Sequence, residues 1–153
     1  MSGLGARAIQ DALVSHALTL GVFDRVNTHE PLKNAPGNGI TCSMWLGPGL
    51  PFNRRSGLAS TTVRLMFVAR LQTAGLQLNP DDVDMNLLDA LDVLYTAYHG
   101  DFTLGALGQI DLLGSAGIPL SWDTGWIVQD GKQFRAYLLS IPVLVDDVWE
   151  QTP

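Results

Sequence analysis

Apolar side chains near the start of the chain recur at helical spacing. Ile9, Ala12, Leu13, Ala17 and Leu20, with His16 among them, share one face, and Gly21 follows as a C-terminal stop. Phe23 to Asn27 reads as a short extended piece, and Asn34 to Gly39 as a turn cluster rich in Gly, Asn and Pro. Ile40 to Leu46 predicts a strand, which Gly47-Pro-Gly-Leu-Pro51 is expected to break. From Thr61 to Leu71 the period becomes two. Thr61, Val63, Leu65, Phe67, Ala69 and Leu71 lie on one face, and a mixed set (Thr62, Arg64, Met66, Val68, Arg70, Gln72) lies on the other. Residues 48–59 form the expected loop between these strands, long enough to suggest a functional role.

A second helix is expected with Asn79 as N-cap, Pro80 as first residue and Asp81, Asp82 and Asp84 in a first turn that favours acids. Leu87, Leu88, Leu91, Leu94, Tyr95 and Tyr98 form its apolar stripe, and Gly100 ends it. Strands follow at Gln109–Leu113, Trp126–Gln129 and Lys132–Val145. Asp130-Gly131 signals a tight hairpin, and Pro142 places its part of the last strand at an edge or a bulge. The order predicts one α+β domain over residues 1–153: a mainly antiparallel sheet with two principal helices packed on one face.

Composition adds a constraint. Of 153 residues, 46% are hydrophobic and only 16% are charged, against roughly 25% charged in an average soluble protein. A surface so poor in charge is easier to understand if part of it is buried against other subunits. Seven of the nine Lys and Arg but three of the fifteen Asp and Glu lie in residues 1–70, so the remainder is strongly acidic. Such a split suits head-to-tail contacts or a charged channel wall. The net charge of -6 argues against a nucleic-acid binder with a basic stripe. With a single cysteine, no signal-peptide pattern and no run near the ~20 apolar residues of a membrane span, the chain is expected to be soluble and intracellular when made.

Catalytic and ligand motifs are fragmentary. Gly3-Leu-Gly5-Ala-Arg-Ala8 fits a dinucleotide fingerprint but has no room for the strand that must precede it. Asp82-Val-Asp84-Met-Asn86 resembles the start of a calcium loop, but Leu87 and Val93 stand where glycine and a bidentate Glu are needed. His16, His29 and His99 have no metal-ligand spacing, and His16 reads as a packed, hydrogen-bonded histidine. Cys42, with no basic neighbour in sequence, reads as a buried, inert thiol. No catalytic residue, cofactor or metal is expected. Arg54-Arg55, beside Phe52 and Asn53, is the one paired basic site. It suits acids of a neighbouring subunit better than nucleic acid, although a solvated loop tip remains open. Trp45, Trp122, Trp126 and Trp149 suffice for both a core and an interface.

Several segments, taken together, resemble tail terminator proteins of long-tailed (siphovirus-type) actinobacterial phages. They are His29-Glu-Pro-Leu-Lys-Asn-Ala-Pro-Gly-Asn-Gly39, Ser56-Gly-Leu-Ala-Ser-Thr-Thr62, Ala97-Tyr-His-Gly-Asp-Phe-Thr-Leu104, Ile110-Asp-Leu-Leu-Gly114 and Gln129-Asp-Gly-Lys-Gln-Phe-Arg135. The resemblance runs from about Ala8 to Trp149 and rests on their order and spacing, not on one diagnostic motif. It implies a subunit of a homo-oligomeric ring, commonly a hexamer, that caps the head-proximal end of the tail tube. Such a ring stops tube growth and offers a surface for joining the head, with no catalysis. The implied partners are copies of the chain itself, the tail tube protein and a head-completion or connector protein. DNA would pass through the channel without specific binding, and no membrane is involved. The product would be a virion component of the tail or neck, assembled in the host cytoplasm. Within that frame, Phe52, Asn53, Arg54 and Arg55 are candidates for contacting the tube or a neighbouring subunit. Asp123, Asp146 and Asp147 are candidates for the channel wall. Two alternatives stay open at this point: a neck, adaptor or head-completion protein of the same virion, and an unrelated small enzyme or ligand-binding domain.

Overall fold

The computed structural model describes residues 4–29, 39–51, 62–74, 82–115, 117–129 and 131–146. Among them the chain runs α1 (Ala6–Leu20), β1 (Arg25–Asn27), β2 (Thr41–Pro51), β3 (Val63–Ala74), α2 (Asp82–Gly100), a single 3-10 turn (Leu104–Ala106), β4 (Gln109–Ile110), β5 (Ser121–Gln129) and β6 (Lys132–Val145). This is the expected α+β class. The sheet order is β1-β2-β3-β6-β4, with β5 also on β6. Every pair is antiparallel except β1 with β2, which is parallel.

One core lies between the helices and one sheet face. Ile9, Leu13 and Ala17 of α1 and Leu87, Leu91, Leu94 and Tyr98 of α2 meet Met44, Leu65, Phe67, Ala69, Leu71, Leu139, Ile141 and Val143, all buried. The strand residues in this set alternate, as one pleated face requires. α1 ends at Gly21, whose φ of 69° is the left-handed stop that glycine adopts without penalty. The two helices are also tied by a polar contact, since the buried Tyr98 hydroxyl donates to the Leu13 carbonyl at 2.9 Å.

Five expectations change. The Gly47-Pro-Gly-Leu-Pro51 stretch does not break β2, which runs on to Pro51 in register with Val63. Between the Leu46/Phe67 and Gly49/Leu65 pairs one extra residue is accommodated on β2. A bulge of this kind tolerates Pro48, which has no ladder hydrogen to give. Glycine fits closely here, since a Cβ on Gly47 or Gly49 would stand 3.2 or 3.1 Å from the Met66 or Arg64 carbonyl oxygen.

Pro142 lies at neither an edge nor a bulge. β6 is flanked by β3 on one side and by β5 and β4 on the other, and Pro142 keeps register with Met66. Its carbonyl accepts from the Asp111 amide at 2.8 Å, so its own nitrogen also faces the β4/β5 side. That is the gap between the last β5 pair, Ser121/Ser140, and the first β4 pair, Ile110/Val143. The missing N–H therefore costs no ladder bond.

The expected strand over Gln109–Leu113 shrinks to Gln109–Ile110. Asp111 turns the chain there, accepting from the Gly114 and Ser115 amides at 3.1 and 2.9 Å. β5 starts at Ser121 rather than Trp126, and reaches Gln129, which pairs with Lys132. Leu88 points away from the core and is half exposed. Residues 34–38 of the turn cluster and the Asn79 cap with Pro80 and Asp81 lie outside the described residues. The Asp82–Asn86 stretch is helical, which a calcium loop is not.

Candidate interaction surface

The sheet's open side is built by β5. It pairs with β6 alone, so its outer edge carries unpaired backbone groups among the described residues. Trp122, Thr124, Trp126 and Val128 alternate onto the helix-side face of this strand, opposite Leu139, Tyr137, Arg135 and Gln133. Trp122 is 53% exposed, Trp126 51% and Val128 74%. Trp126 is held by Arg135, whose guanidinium lies 5.2 Å from its ring centre and donates to the Gly125 carbonyl at 3.1 Å.

α2 leans over this face and leaves a groove of about 380 Å³ lined by Leu88, Asp89, Leu91, Asp92, Tyr95 and Trp122. Its back wall is fixed. The Tyr95 ring meets Trp122 edge-on at 5.4 Å, and its hydroxyl donates to the Leu120 carbonyl at 3.0 Å. Leu88 and Leu91 supply apolar floor. Asp89 and Asp92, three positions apart on the exposed side of α2, place two carboxylates at the rim, and neither has a partner among the described residues. An apolar floor with an acidic rim suits an apolar group next to positive charge. It holds no paired acid and base that would point to catalysis.

No protein-family model matches the chain, and no curated protein does.

Solved structures with a similar outline include the sheath/tube terminator of the PVC extracellular contractile injection system in its extended state. The TM-score is 0.44 and the identity 12%, with 100% of this chain covered. This chain spans 60% of that protein's length.

The residues singled out from sequence are scattered. Phe52, Asn53, Arg54 and Arg55 lie outside the described residues, as do Asp147 and Trp149. Asp123 is exposed on the sheet face away from the helices, and its carboxylate accepts from the Thr124 amide at 2.8 Å. Asp146 follows β6 and accepts from the Thr62 hydroxyl at 2.7 Å. Asp123 pairs with Leu138, so the two acids stand ~26 Å apart along β6 and form no cluster. Cys42 is fully buried, and burial pushes its thiol up to about 12, far from a reactive thiolate. His16 is half-buried and sits 2.9 Å from the Asp101 carboxylate, with its ring edge-on to Tyr98. Among the described residues no group of three or more His, Cys, Asp or Glu could hold a metal ion, and no helix is long and apolar enough to cross a membrane.

The groove is not foreseen from sequence. Helical spacing groups Leu88 with the core stripe, and nothing local links Tyr95 to Trp122. One signal is available: Leu87 and Leu88 are adjacent, hence about 100° apart on a helix, so both cannot face the centre of one core.

Proposed function

We propose that this chain is a tail terminator subunit: a non-enzymatic protein that closes into a ring with copies of itself, six in the form that caps a tube. The ring ends tail-tube polymerisation at the head-proximal end and gives the head-completion protein a surface to join. The observation that carries the reading is the exposed apolar surface formed by β5 and α2, unpartnered among the described residues. On a chain with only 16% charged residues, half-exposed Trp122 and Trp126 beside the acid-rimmed groove are the features of a subunit interface. The ordered resemblance from Ala8 to Trp149 and the basic-to-acidic charge split along the chain support it.

In this reading the Phe52–Arg55 segment contacts the tube or a neighbouring subunit. Asp123, Asp146 and Asp147 line the channel, where like charge keeps passing DNA from sticking. The assembled ring belongs to the virion's neck and forms in the host cytoplasm.

The test is to mix the purified protein with purified tail-tube protein and image the product by negative-stain electron microscopy. Tubes of halted growth with a ring at one end are expected. Tubes that grow on without a cap would overturn the terminator role and make the portal the next partner to try, as for a neck or adaptor protein.

A further inference from the structure

The groove between α2 and β5 has an apolar floor and two carboxylates at its rim, so its occupant needs an apolar group close to positive charge. After residue 70 the chain has only two bases, Lys132 and Arg135, and Arg135 is stacked between Trp126 and Tyr137. Among the seven earlier bases, Arg64 is buried and Arg70 lies over Trp45. Arg7, Arg25 and Lys33 stand singly, and Arg54-Arg55 is the one adjacent pair. It follows Phe52 by two residues, which brings an aromatic ring and two guanidiniums together in one short segment. The match in number and kind is close: one ring for the Leu88, Leu91, Tyr95 and Trp122 floor, and two arginines for Asp89 and Asp92.

Phe52 of the same chain cannot reach this groove. Pro51 pairs with Val63, whereas the groove's Trp122 pairs with Leu139, which pairs with Ala69. The six residues from Val63 to Ala69 span ~20 Å along the strands, and the three strand steps from β2 to β5 add ~14 Å across them. The groove is therefore ~24 Å from Pro51 in the plane of the sheet. The Phe52 Cα is bonded one residue on, only ~3.8 Å from that of Pro51, so its ring falls far short. The geometry points to a second copy of this chain as the occupant, its Phe52-Asn53-Arg54-Arg55 segment seated in the α2–β5 groove of its neighbour. The contact is heterologous, one patch meeting a different one, so repeating it builds a ring where the rotation closes. The inference rests on the self-assembly part of the proposed function and names the surfaces that would carry it.

Cross-linking between copies tests it without tail tubes. One copy carries Asn53→Cys, and the other, distinguishable by a mass tag, carries Met85→Cys on the exposed turn of α2 before the groove. Cys42, buried and held protonated, gives little background with a short bismaleimide. A mixed covalent dimer is expected. Adding D89R and D92R to the Met85→Cys copy is expected to cut its yield at least five-fold. Adding R54E and R55E to the Asn53→Cys copy as well is expected to restore at least half, a rescue that a folding defect would not give. Absence of the mixed dimer, a yield indifferent to charge reversal, or a loss that the complementary reversal fails to restore each overturns the groove contact. So does a doubly substituted chain that cross-links only within itself at high dilution. The failures stay separable from those of the capping role. Capped tubes without the cross-link would remove this contact and leave the terminator reading, whereas the cross-link without capping would do the reverse.

Discussion

On its β3 side, β6 pairs from Phe134 to Val145, and the helix-facing pairs Tyr137/Leu71, Leu139/Ala69, Ile141/Phe67 and Val143/Leu65 are all buried beneath α1 and α2. On its β5 side the same strand pairs from Lys132 to Ser140, but the partners across it include Trp122, Trp126 and Val128, each at least half exposed. Hydrogen bonding is equally regular on both sides, so the difference is one of cover. α1 and α2 cover the β3 side, whereas beyond β5 the sheet, among the described residues, simply ends. The two regions divide the work. Apolar area on the β3 side is removed from water by folding and stabilises the subunit. Apolar area on the β5 side stays exposed, and contributes to stability only through what it already touches.

The sharpest way to break this comparison is to remove an aromatic from the covered side. Phe67 is fully buried in the centre of the sheet, and Phe67→Ala is expected to cost about 3–5 kcal/mol through lost transfer energy and the cavity left behind. For a domain of this size that lowers the melting temperature by about 6–20 °C. Thermal unfolding followed by circular dichroism measures it, and a loss below about 1 kcal/mol would mean that the core is not where the helices meet the sheet.

A second covered position sharpens the contrast through pH. Burial raises the Cys42 thiol from 9.0 to about 12 and also raises the Tyr98 hydroxyl well above 10.0. Both groups are neutral when protonated, and the folded state holds their protons more tightly than the unfolded state does. Their effect on stability is thus constant below pH 9, and stability declines as pH rises from 9 towards 12, by about 1.4 kcal/mol per pH unit for Cys42 alone. Urea unfolding of the native chain and of Cys42→Ala at several pH values above 9 isolates this contribution. The variant is expected to have the shallower decline, and equal slopes would show that the thiol is not enclosed.

Legibility follows local rules rather than cover by the helices. Alternation over Val63–Leu71, helical spacing over Ile9–Leu20 and the hairpin pairing of Gln129 with Lys132 each reflect local rules that tertiary packing left in force. What escapes a reading of the sequence lies where local rules and pairing disagree. Gly47 and Pro48 usually end strands, but pairing with β3 carries β2 past them by a bulge. Pro142 is tolerated inside β6 only because β5 stops and β4 starts beside it, which no window along the chain can reveal. Gly125 hides the first half of β5, and with it the placement of Trp122 against Tyr95. The groove depends on that one contact between distant segments. Its chemistry is readable as residue types, but its location is not.

The smallest effect is expected on the open side, where the same kind of substitution as Phe67→Ala should give a different answer. Trp126 is 51% exposed, so Trp126→Ala forfeits about half of the 1.5–3 kcal/mol that a fully buried large side chain contributes, that is about 1 kcal/mol. Loss of the stacked Arg135 adds about 0.5 kcal/mol, limited because Arg135 keeps Tyr137 at 5.5 Å and its bond to the Gly125 carbonyl. The expected total of about 1–2 kcal/mol is below the cost of about 3–5 kcal/mol expected for Phe67→Ala. If association uses this surface, the same variant loses self-association out of proportion to its stability, measured by sedimentation at matched fractions folded. A Trp126→Ala cost equal to that of Phe67→Ala would show that β5 belongs to the folding core, and the division between the two sides of β6 would fall.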